Sequence, residues 1–161
     1  AGIADGSVVG HAGFPESLRI LAAAMGRELE RIEVVSSPIL AVTPLTLPDG
    51  SIVPEGRTAG ADQRATGWFG GQPWLDISMT LHVDPAAAGL VPTDEIQLDG
   101  RHGLRVRVEP GCRALLSTAA MIVNGIPRAI AAPPGVHGPG DLPPVAPWFG
   151  DHPPTWVPLR D

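Results

Sequence analysis

The chain has 161 residues, 43% of them hydrophobic and 17% charged, which is the composition of a globular domain with its own core rather than of a disordered segment. A formal net charge of −6 argues against a nucleic-acid or anionic-membrane surface, because either needs a basic patch. No apolar run approaches the roughly 18 residues of a membrane span, so the reading at this level is no membrane and no nucleic acid as partner.

All 11 basic residues are Arg, and there is no Tyr. Schiff-base chemistry and any Lys or Tyr proton donor are therefore excluded from this chain, and the pattern itself is best explained by the codon bias of a GC-rich genome. The single Cys112 cannot form an internal disulfide, which fits a reducing, cytoplasmic compartment. Ala1-Gly2-Ile3-Ala4-Asp5 has neither a basic nor an apolar leader region, so it reads as a cut end rather than a signal peptide.

Residues 1–14 carry turn chemistry at Asp5-Gly6, Gly10 and Gly13. A helix is predicted over residues 15–26: Pro15 opens it, Glu16 follows, Gly26 closes it, and Leu18, Leu21, Ala22 and Met25 form an apolar face. Residues 29–36 read as a strand with Ile32 and Val34 on one face. Residues 38–56, rich in Pro and Gly, read as loop with short extended pieces. Residues 57–83 read as a long hairpin turning at Gly70-Gly71-Gln72-Pro73. Its second arm alternates Leu75, Ile77, Met79, Leu81 and Val83 against Trp74, Asp76, Ser78, Thr80 and His82.

A second hairpin follows, with Ile96 and Leu98 leading through Asp99-Gly100-Arg101-His102-Gly103 to Leu104, Val106 and Val108. Residues 114–126 return to a helical apolar pattern that Pro127 is expected to end or kink, having no N–H to donate. From Pro133 the chain is Pro-rich, with Trp148, Phe149 and Trp156 in an extended tail. Helix, antiparallel strands, helix is an α+β order: a mostly antiparallel or mixed sheet with helices packed on one face. Residues 1–135 form the domain and 136–161 the tail. The polar face of the long hairpin, with Trp68, Trp74 and His82, is either solvated or covered by a second subunit.

Several chemistries have no signature. No G-x-G-x-x-G follows a strand and opens a helix, and the prolines around Gly135-Val136-His137-Gly138-Pro139-Gly140 make that stretch a loop. His11, His82, His102, His137 and His152 lack metal-ligand spacing, so no metal site is expected. There is no G-x-S-x-G elbow. The surroundings Pro110-Gly111-Cys112-Arg113 give Cys112 no nucleophile signature.

Two segments go further. One is Gly10-His11-Ala12-Gly13-Phe14-Pro15-Glu16-Ser17, opening the first helix. The other is Ser117-Thr118-Ala119-Ala120-Met121-Ile122-Val123-Asn124-Gly125-Ile126-Pro127, followed by Ala131-Ala132-Pro133-Pro134-Gly135. In this order, with hairpins between, they resemble the C-terminal domain of the 2,4-diaminopentanoate dehydrogenases. That group includes native amine dehydrogenases and dihydrodipicolinate reductase-like proteins. The resemblance implies a Rossmann domain upstream, absent from this chain, that binds NAD or NADP. It also implies a homodimer formed through the C-terminal sheet, and hydride transfer at the amine-bearing carbon of a small amine or ketone substrate.

By the same resemblance, His11 is the pocket histidine, and an imidazole in a closing cleft can hydrogen-bond an amine or a carbonyl. A loop or cap hydrogen bond would explain it more simply. Phe14 is either an apolar pocket wall or a hydrophobic staple. Thr118 resembles the threonine lining the substrate cavity, or is an ordinary helical Thr bonding the preceding turn. Asn124 is read as structural, satisfying backbone groups freed by Pro127, and Glu16 as a charge at a helix N-terminus.

The carboxylate assigned to acid–base work in the family belongs to the nucleotide-binding half. The His-His, Lys and Ser-Gly-Thr signature of dihydrodipicolinate reductase proper is missing, which argues against a dicarboxylate reductase. The alternative from a different class is a free-standing small-molecule binding or dimerisation module without catalysis.

Overall fold

A computed structural model describes residues 11–145. Asp5, Gly6 and Gly10 of the predicted turns, and Trp148, Phe149 and Trp156 of the predicted tail, lie outside the described residues. The chain divides into two compact units, Ala1–Val91 and Pro92–Asp161.

The first unit opens with α1 (Phe14–Ala24), which has Pro15 in its first turn and Glu16 beside it. Gly26, at φ +67°, closes it: its N–H donates to Ala23 O (2.9 Å), and the N–H of Arg27 reaches Ala22 O (2.9 Å). This pair of bonds is the Schellman arrangement, which needs a left-handed residue that glycine adopts without a Cβ clash. The buried stripe is Phe14, Leu18 and Ala22. Leu21 and Met25, expected on the apolar face, stay about half exposed, because only the i, i+4, i+8 row meets the sheet.

The sheet beneath α1 contains β1 (Arg31–Leu40), β4 (Thr58–Phe69) and β5 (Gln72–His82), antiparallel in the order β1-β4-β5. β1 continues through Pro38, beyond the predicted strand end. As an edge strand it pairs on one side only, where a missing N–H is tolerated. The β4–β5 turn is Gly70-Gly71, both with positive φ (+60° and +71°), as a two-residue hairpin of this twist demands. The Glu30 carboxylate caps it, accepting from Gly70 N at 2.9 Å and Gly71 N at 3.1 Å.

β4 turns small residues toward α1, and Leu18, Phe14 and Ala65 form the core, flanked by Leu29, Ile32, Leu75, Ile77 and Met79. The inward positions of β5 thus follow the predicted alternation, although Leu81 is half exposed. Between β1 and β4, β2 (Leu45–Thr46) pairs with β3 (Ile52–Val53) over a small cluster of Ala41, Leu45 and Ala59.

The opposite sheet face is polar. Arg31 stacks its guanidinium 3.6 Å over the Trp68 ring, Arg64 pairs with Asp76 at 3.0 Å, and Thr66 and Thr80 donate to Asp76 and Asp62. Trp74 leans on Phe69 (ring centroids 5.5 Å apart), and His82 Nδ1 accepts from the N–H of Asp84.

The second unit holds β6 (Asp94–Leu98), β7 (Leu104–Val108) and α2 (Ala114–Ala131). β6 and β7 pair antiparallel, with the ion pair Arg105–Glu95 across them. Among the described residues the expected single sheet is therefore three separate sheets, and the α+β class holds.

α2 departs from expectation at its end, since it runs through Pro127 to Ala131. Pro127, having no N–H, removes one i→i−4 hydrogen bond from the helix interior. The Arg128 guanidinium donates to the Asn124 carbonyl at 2.9 Å. Read without a break at Pro127, the helix has 18 residues and a mean hydropathy of 1.4. It is long and apolar enough to cross a membrane, which corrects the statement that no run approaches that length. None of its residues is buried.

Candidate functional site

The motif that opens α1 is laid against the sheet. Gly13 precedes the helix, and its carbonyl accepts from Ser17 N at 2.9 Å. Pro15 pre-sets the backbone of the first turn. Phe14 is 4% exposed and belongs to the core with Leu18 and Ala65. Its ring meets that of His11 with centroids 5.1 Å apart and planes at 67°, the edge-to-face arrangement aromatic rings favour.

The imidazole of His11 is exposed, while its main chain is held at both ends. Its N–H donates to Gln63 Oε1 at 2.7 Å, and its carbonyl accepts from Gln63 Nε2 at 3.0 Å. Gln63 lies in β4 and is the buried polar side chain of the described core, 6% exposed. The site is an open imidazole against the ring of Phe14, with its backbone anchored to the central strand. Such an arrangement can offer one hydrogen bond to a small polar ligand.

His11 and Phe14 are thus brought together. Glu16 is exposed on the first turn of α1, where its charge meets the positive end of the helix dipole. Thr118 and Asn124 stand on α2 in the other unit: Thr118 is exposed, and Asn124 is half-buried and contributes its main-chain carbonyl to Arg128. Sequence reasoning missed Gln63. The signal was available as a lone polar residue among the small inward positions Ala59, Ala61, Ala65 and Gly67.

Other chemistry is limited. The Asp94 carboxylate, hydrogen-bonded to Cys112, pushes the thiol up from its ordinary value, and the neighbouring negative charge adds to this. That is the reverse of what a nucleophilic cysteine requires. Asp94 is itself held below the usual carboxylate range by the backbone N–H of Cys112. Among the described residues no three His, Cys, Asp or Glu side chains converge as metal ligands. A surface cleft of about 370 Å³ lies against α1, lined by Arg19, Ala23, Arg27, Glu28 and Leu29, and none of the sequence-predicted site residues borders it.

This architecture, an antiparallel sheet backed by a helix that carries an anchored histidine loop, falls in the α+β class found among C-terminal domains of dehydrogenases. The family described as the 2,4-diaminopentanoate dehydrogenase C-terminal domain is matched over residues 1–155, and the chain belongs to that family. The 2,4-diaminopentanoate dehydrogenase of Acetoanaerobium sticklandii is 29% identical over 151 residues, spanning 93% of this chain and 42% of that protein. An amine dehydrogenase from Mycobacterium smegmatis has the same fold, with a TM-score of 0.69 at 22% identity over 80% of this chain and 37% of that one. The chain therefore spans less than half the length of these relatives.

The described residues form no cradle for a dinucleotide. Their strands pair antiparallel, and none feeds a helix through a glycine-rich turn able to cradle a pyrophosphate.

Proposed function

We propose that this chain is the substrate-side and subunit-pairing half of an NAD(P)-dependent, amine dehydrogenase-like oxidoreductase acting at the amine-bearing carbon of a small substrate. The observation that carries the reading is membership of the dehydrogenase C-terminal family over residues 1–155. In this reading a Rossmann domain outside the chain holds NAD or NADP, and the whole protein works in the cytoplasm as a homodimer. His11, Phe14 and Thr118 are its substrate-binding residues. Glu16 and Asn124 serve structure. Residues 1–135 act as the domain and 136–161 as a tail.

Two physical features support it. The exposed imidazole of His11, with its main chain anchored to Gln63, offers a fixed polar contact that suits a small amine or ketone. In α2, Leu115 is 88% and Ile130 is 80% exposed, with Leu116, Ile122 and Val123 exposed along the same helix. Apolar surface of this extent calls for cover, which the remainder of a dehydrogenase supplies.

The test is to express the complete reading frame and follow reduction of NAD+ and NADP+ with 2,4-diaminopentanoate and a panel of small primary amines. Amine-dependent reduction supports the proposal. A reading frame that begins at this domain, or a full-length protein inert toward every amine, rejects it in favour of a binding or dimerisation module. Partition of the purified chain into detergent or vesicles instead would assign α2 to a membrane.

A further inference from the structure

Gln63 stands in the middle of the central strand, paired with Ser36 on one side and Met79 on the other. Its inward neighbours along β4 are alanine and glycine, and its own carboxamide is buried. The sheet does not need an amide there, because the strand's main chain is already paired on both sides and an apolar side chain would fill the same layer.

The carboxamide instead reaches a residue 52 positions away in sequence and matches both of its main-chain polar groups, accepting from His11 N at 2.7 Å and donating to His11 O at 3.0 Å. It substitutes for a neighbouring strand, and it does so at one residue only. The ring of that residue is then confined from two sides. The Phe14 ring meets it at a centroid distance of 5.1 Å and an angle of 67°, and a Cβ on Gly13 would come within 3.2 Å of His11 Nε2.

We infer that Gln63 is the positioning residue for His11: its buried carboxamide clamps the His11 main chain so that the imidazole is presented, already oriented, against the ring of Phe14. The inference rests on the pocket role proposed above for His11. Gln63 touches no substrate in this scheme and acts only through the histidine.

The experiment has two arms. In the 161-residue chain, NMR should show His11-to-Phe14 ring contacts and a His11 amide that exchanges about 100-fold slower than an open loop amide. In Gln63→Met the ring contact should vanish while the Leu18 methyl resonances stay in place. An unprotected His11 amide in the unaltered chain overturns the inference without requiring any variant to fold. So does a ring contact that survives in Gln63→Met.

In the complete enzyme, Gln63→Met should lower kcat/KM by about 10- to 100-fold, the scale of a small misplacement at a reacting centre. The double variant with His11→Ala should be no worse than His11→Ala alone. Losses that multiply show that Gln63 acts independently of His11 and overturn the inference. An unchanged His11→Ala enzyme would instead remove the pocket role of His11, and the NMR arm would still decide the clamp.

Discussion

Gly60 is the position where the sheet tolerates least. It pairs with Ile39 on β1 and with His82 on β5. A Cβ placed there would lie 2.2 Å from the main-chain oxygen of Leu81, with the His82 Cα at 3.2 Å. Ordinary carbon–oxygen contact begins at about 3.3 Å, so Gly60→Ala requires a shift of roughly 1 Å between two backbones. A side-chain end could swing aside, but a strand carbonyl can move only with its ladder, which here includes the bond from Val83 N to Ala59 O at 2.9 Å. Overpacking typically costs about 1–3 kcal/mol, and a backbone obstacle places this case at the upper end. In a unit of this size, about 3 kcal/mol corresponds to a fall in Tm of more than about 10 °C. Thermal unfolding followed by far-UV circular dichroism measures it. Gly100→Ala is the control, since nothing lies within 4 Å of a Cβ at that turn position. If Gly60→Ala melts within about 2 °C of Gly100→Ala, the close approach of β4 and β5 argued here is wrong.

Leu18, with no exposed surface, anchors the core of the first unit, so Leu18→Ala should destabilise by about 2–5 kcal/mol in urea unfolding while Leu18→Met costs under about 1.5 kcal/mol; equal effects would mean that the helix is not seated on the sheet. Asp76 is held below the usual carboxylate range, first by its hydrogen bond to Arg64 and then by Thr66. A depressed folded-state value favours folding above the unfolded pKa and is lost as pH falls through the folded one. Asp76→Asn should therefore cost under about 1 kcal/mol at pH 7 and less at acid pH, with urea midpoints at both pH values as the measurement. Cys112 is exposed, yet its thiol is pushed up by Asp94, so iodoacetamide should label it more slowly than a free thiol at pH 8, and Asp94→Asn should speed the labelling; an unchanged rate would dissociate the two groups.

The elements that were legible in the sequence are those whose local rule and tertiary role agree. The Pro15-to-Gly26 helix, the Gly70-Gly71 turn and the alternation of Leu75, Ile77 and Met79 follow from caps, φ requirements and period-two burial, and the structure shows all three. The family, too, was legible in the block around His11 and in the block from Ser117 to Pro127. The misreadings occur where context overrides a local rule. Pro38 reads as the start of a loop until β1 is known to be an edge, and of the two outcomes expected at Pro127, an end or a kink, the end is excluded because α2 continues to Ala131.

The same distinction separates the two halves of the candidate site. His11 could be singled out because it sits in a motif, contiguous in sequence and next to the start of a helix. Gln63 could not, because its meaning depends on a partner 52 residues away, and a polar residue in a strand is ordinarily assigned to the solvent face. One feature of the pattern did carry the information: every inward neighbour of Gln63 on β4 is Ala or Gly. Small side chains on both sides leave depth for one long polar group to lie flat against the sheet and emerge at the α1 loop. A strand face built from alanines with a single glutamine is therefore better read as a seat for an outside main chain than as a defect in the alternation. Read in that way, β4 gives the orientation of His11 from the sequence of the strand beneath it.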